Sequence, residues 1–339
     1  MPSGAGLFAG LQRRLTECID AVQRLRFLAG STPEARTWLE SNSGRLPGAF
    51  LSVRPTLVPS TRLSSRLLAN ACQRRLHHHQ SALANTSARS GFCPAVPARG
   101  GIPCARPCDL RGAHLTTCPT GGGSVAIHNT VNEALAQCFR QVLPHHLVLS
   151  EHDEILGALR VRLGLLPGDV LPFPVPDIMT LGEDTIYVDT RITEPRGAAN
   201  MAARGVAATG NSADAAALAK TQQYAGAFLG GHMQAHQFVP FALETGGRPC
   251  AAADKLLHRL ALLHEAKLTN LPPRDKLGPA GNRFLTLLRQ IISASLQRAI
   301  GRRITTTADR VLFAQTARGR CRGDFHVFDA LTIADAVAG

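Results

Sequence analysis

The sequence predicts an α+β fold in which an N-terminal helical region leads through a loop segment into a small mixed sheet flanked by helices. Three observations carry this prediction. Apolar residues recur at three- and four-residue spacing across 5–29, which is typical of one helix face. Residues 80–123 are rich in Gly, Pro, Ser and Cys, which indicates loops. Residues 145–192 consist of short apolar runs broken by Gly and Pro, which is typical of strands.

The same patterns place the individual elements along the 339 residues. Helices are predicted at 5–29, 59–76, 125–142, 212–229, 252–267 and 280–301, and strands within 145–192 and at 237–243. The chain then divides into a basic helical region (1–80), a Cys/His loop segment (81–124), a mixed α/β part (125–305) and a C-terminal tail (306–339).

The charge of the chain favours a polyanionic partner. The formal net charge is +13, and residues 51–118 contain nine Arg but a single acid, Asp109. Basic side chains displace counterions from nucleic-acid phosphates, and the Arg fork can bind two phosphate oxygens at once. We therefore expect DNA, and possibly RNA, as partner, bound by a group of arginines: Arg62, Arg66, Arg74, Arg75, Arg106 and Arg111. A GC-rich genome would also produce an excess of Arg over Lys, so composition alone remains an alternative explanation.

The sequence argues against several other classes of protein. No run of about eighteen apolar residues is present, so we expect no membrane span. Charged residues interrupt the N-terminal apolar runs, which excludes a secretory signal and leaves a mitochondrial transit peptide as an alternative. Nine Cys in a long chain fit a reducing compartment in which some thiols bind metal. No small-molecule substrate is expected.

The Cys/His loop segment predicts a structural zinc site. Zinc takes four thiolate or imidazole ligands, and two close pairs joined by a short loop suit its tetrahedral geometry. The segment has little core of its own, so metal would have to organise it. The predicted ligands are Cys104, Cys108, His114 and Cys118, separated by gaps of three, five and three residues. Cys93 is an alternative to Cys104 or Cys108, His128 is a possible fifth ligand or a helix cap, and unpaired thiols remain the other interpretation.

A second pattern predicts an acidic centre on a hairpin. Pro176-Asp177 opens one strand and Asp189 lies in the next, on the face opposite Ile186 and Val188. Two converging carboxylates suit Mg²⁺, which can ready a water molecule and neutralise phosphate charge. This is similar to the PD-(D/E)XK nuclease site, except that Arg191 occupies the position of its lysine.

A helix after the hairpin offers a replacement for that lysine. Lys220 lies there with Tyr224 at i+4, and Asn211 or Ser212 is placed to cap the helix. The alternative is that Asp177 and Asp189 merely end strands and that Lys220 is a solvated charge.

Taken in order, several stretches resemble the C-terminal region of non-LTR retrotransposon polyproteins that carry a restriction-like endonuclease. They are Trp38 in its Thr-Trp-Leu-Glu context, 112–118 with the glycines 121–123 and His128-Asn129, the acidic hairpin, and Lys220–Tyr224 followed by 238–247. The resemblance covers residues 35–300 and lacks the reverse transcriptase, since no Tyr-x-Asp-Asp motif is present.

The resemblance implies a function and roles for residues. The Cys/His segment would bind zinc and nucleic acid, and a restriction-endonuclease-like domain would nick target DNA in the nucleus to prime reverse transcription. By position, Asp177 and Asp189 would hold Mg²⁺, Lys220 would be the catalytic lysine, Tyr224 would support it, and Glu133 or Glu151 would complete the acidic set. Other possibilities are a nucleic-acid-binding remnant that no longer cuts and a structural helical protein.

Overall fold

A four-stranded mixed sheet forms the centre of the molecule in a computed structural model. The structure describes residues 29–53, 58–84, 86, 91–97, 101–166, 169–182, 185–197 and 212–320, with isolated positions before them and with side chains up to 313. The strands are β1 (Leu147–Leu149), β2 (Ile178–Leu181), β3 (Ile186–Thr193) and β4 (Phe238–Glu244), in the spatial order β1-β2-β3-β4. Strand β2 pairs antiparallel with both β1 and β3, and β4 is parallel to β3.

Helices surround this sheet, which confirms the predicted α+β class. They are α1 (Pro33–Ser41), α2 (Ser65–Arg75), α3 (Ala113–Thr117), α4 (Gly123–Val142), α5 (His152–Leu163), α6 (Ser212–Gln223), α7 (Ala225–Leu229), α8 (Ala251–Thr269) and α9 (Pro279–Arg320). Helix α6 lies in the crossover between the parallel strands β3 and β4, which antiparallel neighbours would not need.

The main core lies on one face of the sheet and extends to α9. Ile186 and Val188 of β3 face it, together with the apolar sides of α4, α8 and α9. The Cys/His loop segment contributes Leu83, Cys93 and Leu115 to the same core, and Leu46 from the N-terminal region joins it. The segment therefore packs against the sheet domain through a shared core.

A smaller core covers the opposite face of the sheet. Met179 and Tyr187 lie here, alternating along their strands with residues that face the main core. Helix α5 adds Ile155 and Leu159, and Tyr224 stacks on Phe238 of β4 at 4.2 Å between ring centroids. The predicted alternation of β3 is thus observed, with Tyr187 and Asp189 on the face opposite Ile186 and Val188.

The sequence missed helix α5, which falls inside the stretch predicted as strands. Its apolar positions Ile155 and Leu159 are one helical turn apart and both are buried. Asp153 and Glu154 lie in the first turn, and Gly164 ends the helix in the left-handed conformation. The short apolar runs on either side of α5 are typical of strands, so the helical spacing of Ile155 and Leu159 was not recognised in the sequence.

The sequence predicts a helix at 5–29 and a C-terminal tail at 306–339. Most of the predicted helix 5–29 lies outside the described residues. The last helix, α9, continues to Arg320 across the boundary predicted at 305, and Thr307 and Ala308 are buried. In the part of the chain that the structure describes, no helix combines the length and the hydropathy needed to cross a bilayer.

Candidate functional site

The two predicted acids lie opposite each other at the start of the β2–β3 ladder. The register pairs Ile178 with Val188, and the Asp177 amide donates to the Val188 carbonyl at 2.9 Å, so Asp177 faces Asp189. Directly opposed residues have Cβ atoms about 5 Å apart, and the two carboxylates are close enough to influence each other's pKa. The amide of Thr190 donates to Asp177 Oδ2 at 2.6 Å and fixes its orientation.

Helix α6 brings Lys220 to this acid pair. Its Nζ lies 3.0 Å from Asp189 Oδ1, and the side chains are 20% and 5% exposed. Burial, followed by the negative charge of Asp177, raises the pKa of Asp189 to about 6 despite the nearby Lys220. The ion pair with Lys220 therefore only partly opposes the effect of burial and of Asp177 on Asp189.

His128 of α4 lies on the other side of the acid pair, where sequence reasoning did not place it. Its Nε2 is 3.0 Å from Asp177 Oδ2 and 3.2 Å from the Thr190 carbonyl. Burial alone would raise the pKa of Asp177, but the hydrogen bond and charge of His128 hold it below its ordinary value. We call Asp177, Asp189, Lys220 and His128 the acidic centre. The sequence showed His128 in a His-Asn pair but gave no sign of its partner, 49 residues away.

Tyr224 lies beside the acidic centre. It directly follows α6, and its ring is buried in the smaller core. Its hydroxyl lies next to the Asp189 carboxylate, and the two groups interact. Burial, together with the charge of Asp189, raises the pKa of this hydroxyl. Tyr224 thus provides packing and a neutral, desolvated wall for Asp189.

The two additional acids that the resemblance implied are not part of the acidic centre. Glu133 lies on the exposed side of α4 and pairs with Arg140 at 3.3 Å. Glu151 is exposed at the start of α5. Both side chains are solvent-exposed, and no contact described for either of them reaches Asp177 or Asp189. Arg191, in the position of the nuclease lysine, is exposed and lines a groove of about 320 Å³ together with Lys220.

A second cluster gathers four metal-ligating side chains: Cys93, Cys104, His114 and Cys118. Their ligand atoms all lie within 4.8 Å of one another. Cys93 Sγ is 3.8 Å from Cys118 Sγ, and Cys104 Sγ is 3.3 Å from His114 Nε2. Two thiolates about 2.3 Å from a tetrahedral zinc would be about 3.8 Å apart, so this Cys/His cluster can hold a metal such as zinc.

Local backbone structure explains how distant residues meet in the Cys/His cluster. The Cys93 amide donates to Arg106, the Cys104 amide to Ala95, and the Cys108 amide to Gly91, so two short segments run antiparallel. Helix α3 then supplies His114, and Cys118 follows at its end. The Cys93 thiol donates to Cys118, which lowers the pKa of Cys118 to about 4 and raises that of Cys93.

The predicted fourth ligand, Cys108, was wrong, and the alternative Cys93 takes its place. Cys108 turns away from the cluster, and its thiol lies 3.5 Å from the Asp109 carbonyl. The pairing of the two short segments sets Cys93 opposite Arg106, midway between Cys104 and Cys108, and of these two only the Cys104 thiol reaches the cluster. The sequence could not reveal this because the ligand spacing depends on the antiparallel pairing.

The predicted nucleic-acid-binding arginines differ in exposure. Arg62 and Arg106 are exposed, and Arg66 is exposed but paired with Asp309 at 2.6 Å. Arg111 is partly buried and donates to the His77 carbonyl at 3.0 Å. Only Arg62 and Arg106 therefore combine an exposed position with a guanidinium that no described acid pairs.

The remaining two predicted arginines are withdrawn from solvent. Arg74 is 3% exposed, its guanidinium lies 5.1 Å from the centre of the Trp38 ring, and burial lowers its pKa to about 10. The prediction for Arg74 was wrong because its face of α2 packs against Trp38. Arg75 is partly buried beside Gly48, and burial lowers its pKa.

A buried carboxylate, Glu194, connects the Cys/His cluster to the sheet. It follows β3, and its Oε2 accepts hydrogen bonds from Thr116 of α3 at 3.1 Å and from Thr245 after β4 at 2.8 Å. Its Oε1 pairs with Arg196 at 2.8 Å, and the Arg196 guanidinium lies 4.1 Å from the centre of the Trp38 ring. Glu194 therefore joins Thr116, which lies within the Cys/His loop segment, to Thr245, which follows strand β4 of the sheet.

No protein-family model, curated protein or solved structure matches this chain.

Proposed function

We propose that this chain is a metal-dependent DNA endonuclease with a restriction-endonuclease-like centre, of the kind that nicks target DNA for a retrotransposon. The observation that carries the proposal is the convergence of Asp177 and Asp189 on facing strands with Lys220 Nζ 3.0 Å from Asp189. The mixed sheet flanked by helices agrees with the fold that the sequence resemblance implies. The proposed partner is DNA, and the proposed compartment is the nucleus.

The acidic centre fits a hard divalent cation such as Mg²⁺. Two carboxylate oxygens are the ligands that Mg²⁺ prefers, with water completing its coordination. Burial, followed by the charge of Asp177, raises the pKa of Asp189, and a bound cation would stabilise its ionised form. Asp177 and Asp189 would hold the metal, and the bound ion would supply charge neutralisation at the phosphate and a more acidic water.

The protein groups around the acids have separable roles in this proposal. Lys220, fixed by its ion pair with Asp189, orients the attacking water and stabilises negative charge on the phosphate. Arg191 and Lys220 give the adjoining groove positive charge that suits a phosphodiester strand. His128 holds Asp177 in place and acts as a positioning residue.

The Cys/His cluster supports the same proposal by a different route. We infer that it binds zinc and organises a nucleic-acid-binding surface that includes Arg106. Arg106 lies between Cys104 and Cys108, so its position depends on the pairing that forms the cluster. A zinc site here would fix exposed basic side chains relative to the sheet.

Conversion of supercoiled DNA to nicked circles in the presence of Mg²⁺ tests the proposal. Asp177→Ala and Asp189→Asn should each reduce the rate at least 100-fold, because removing one carboxylate leaves the cation without its paired ligands. Asp153→Asn is the matched control, since its fully exposed acid lies in the first turn of α5. Equal nicking by Asp189→Asn and the parent chain would contradict the proposal.

A second candidate is a nucleic-acid-binding protein that does not cut. The observation that favours it is the Cys/His cluster, which is complete whatever the acidic centre does. This candidate predicts salt-dependent DNA binding with no metal-dependent nicking in any variant. The nicking assay and a gel shift on the same preparation separate the two.

A further inference from the structure

A run of three glycines opens helix α4 and leaves its N-terminus uncapped. Gly121 and Gly122 have φ of 76° and 68°, and no side chain caps the helix or places an acid in its first turn. The first amides of a 20-residue helix thus face outward without a side-chain acceptor. Amides in this position favour an anion.

A buried arginine lies against the same glycines. Arg303 of α9 is only 9% exposed, and its Nη2 donates to the Thr120 carbonyl at 2.6 Å. Its Nε is buried and has no hydrogen-bond partner among the described residues. A β-carbon at position 123 would overlap this guanidinium, so Gly123 is what allows Arg303 to lie against the helix end.

The cavity around these groups is positively charged. It has a volume of about 260 Å³, and its lining includes Arg302, Arg303 and Arg310 but no Asp or Glu. Arg302, Thr306 and Arg310 follow one another at four-residue intervals on α9 and are exposed, so they share one helix face. Two exposed guanidinium groups, the buried Arg303 and a helix N-terminus therefore line one space.

We propose that this glycine–arginine pocket, formed by 121–123 with Arg302, Arg303 and Arg310, binds a phosphate group. The ligand is a phosphodiester of a nucleic-acid backbone or a phosphate monoester, since both present the same oxygens to the donors. None of these arginines belongs to the basic set that the sequence predicted.

The pocket is separate from the acidic centre although both adjoin α4. Ala126 and Thr130 line it, whereas His128, two residues from each, reaches Asp177 from nearly the opposite side of the helix. The inference therefore goes beyond the proposed nuclease activity and does not depend on it. Changes on α9 at 302–310 leave Asp177, Asp189 and Lys220 in place.

The experiment measures the thermal midpoint of the full chain against inorganic phosphate at constant ionic strength, with chloride as reference. Phosphate should raise the midpoint of the parent chain, because a ligand that binds the folded state stabilises it. The double variant Arg302→Gln/Arg310→Gln should weaken the apparent affinity about tenfold or more, since it removes two charge-assisted contacts. Arg259→Gln/Arg283→Gln removes the same charge from exposed positions of α8 and α9 outside the pocket and should keep the parent response.

A second variant and a second probe keep the inference testable. Thr306→Glu puts a negative charge on the exposed helix face of the pocket and should abolish the phosphate response while the chain still folds. Competition by short oligonucleotides with and without a 5′-phosphate identifies the source: equal competition supports a backbone phosphodiester, and competition only by the phosphorylated strand supports a monoester. The absence of a phosphate response in the parent chain, or an equal response in the two double variants, would overturn the proposal.

Discussion

The Cys/His cluster and the acidic centre gather charged or metal-ligating groups in opposite ways. The cluster takes four ligands from 26 residues of loop and one short helix, joined by a few backbone hydrogen bonds. The acidic centre takes its groups from four elements, α4, β2, β3 and α6, which the two cores already fix. We therefore expect changes in the cluster to alter stability and changes in the acidic centre to alter chemistry.

The largest effect should follow from exchanging one buried thiol of the cluster. Cys93→Ser should remove bound zinc and lower the thermal midpoint well beyond an average substitution, which costs about 1 kcal/mol, because metal binding organises this segment. Cys108→Ser is the matched control, because Cys108 is a buried thiol in the same pair of segments but does not belong to the Cys/His cluster. Metal content by mass spectrometry and thermal unfolding check both, and loss of zinc in Cys108→Ser with retention in Cys93→Ser would reverse our ligand assignment.

The next largest effect should come from Glu194, which ties the two regions together. Glu194→Gln leaves the buried Arg196 without its partner, so the free energy of unfolding should fall by about 3–5 kcal/mol. Glu133→Gln, which breaks the exposed pair with Arg140, should cost about 1 kcal/mol or less. Denaturant unfolding of both variants measures the difference, and similar small losses in both would show that Glu194 does not couple the regions.

The same acid predicts a direction for the pH dependence. Burial opposes ionisation of Glu194, but the charge and hydrogen bond of Arg196 hold its pKa below the ordinary value of about 4.3. The unfolded chain then takes up this proton first as pH falls, so the stabilisation is complete above about pH 4.3 and is lost through the lower folded pKa. Glu194→Gln should flatten this acid limb, and an unchanged limb would assign the dependence to other groups.

The smallest effect should come from His128, and it should appear in function only. His128→Ala removes the ring that orients Asp177, so the Mg²⁺ concentration for half-maximal nicking should rise about 10–100-fold, as for groups that orient metal ligands. The thermal midpoint should change little beside that of Cys93→Ser. His145→Ala, at an exposed position, serves as control. An unchanged Mg²⁺ requirement would remove His128 from the acidic centre.

The sequence predicted those parts of the molecule in which the pattern is local. Helix α4, helix α8 and strand β4 lie within a few residues of their predicted ranges because apolar spacing alone determines them. The alternation along β3 correctly predicted that Asp189 and Val188 lie on opposite faces of the strand. The predicted helix after the hairpin is also observed, and it carries Lys220.

What the sequence could not predict depended on contacts between distant segments. Cys93 replaced Cys108 through a strand-like pairing that no spacing rule contains, and His128 met Asp177 only because α4 packs across the sheet. The sequence predicted Arg74 to be one of the arginines that bind nucleic acid, but in the fold its guanidinium packs against Trp38. The type of a residue therefore did not predict its exposure where packing between distant segments buried the side chain.

The parallel pairing of β3 with β4 has a consequence for the order of assembly. Because α6 lies in the crossover, Lys220 is secured only when the chain has been made as far as β4 and that strand has docked. Non-local parallel pairing is slow to form. The thiols and imidazole of the loop segment, encoded earlier, can meet beforehand, so we expect the Cys/His cluster to form before the acidic centre.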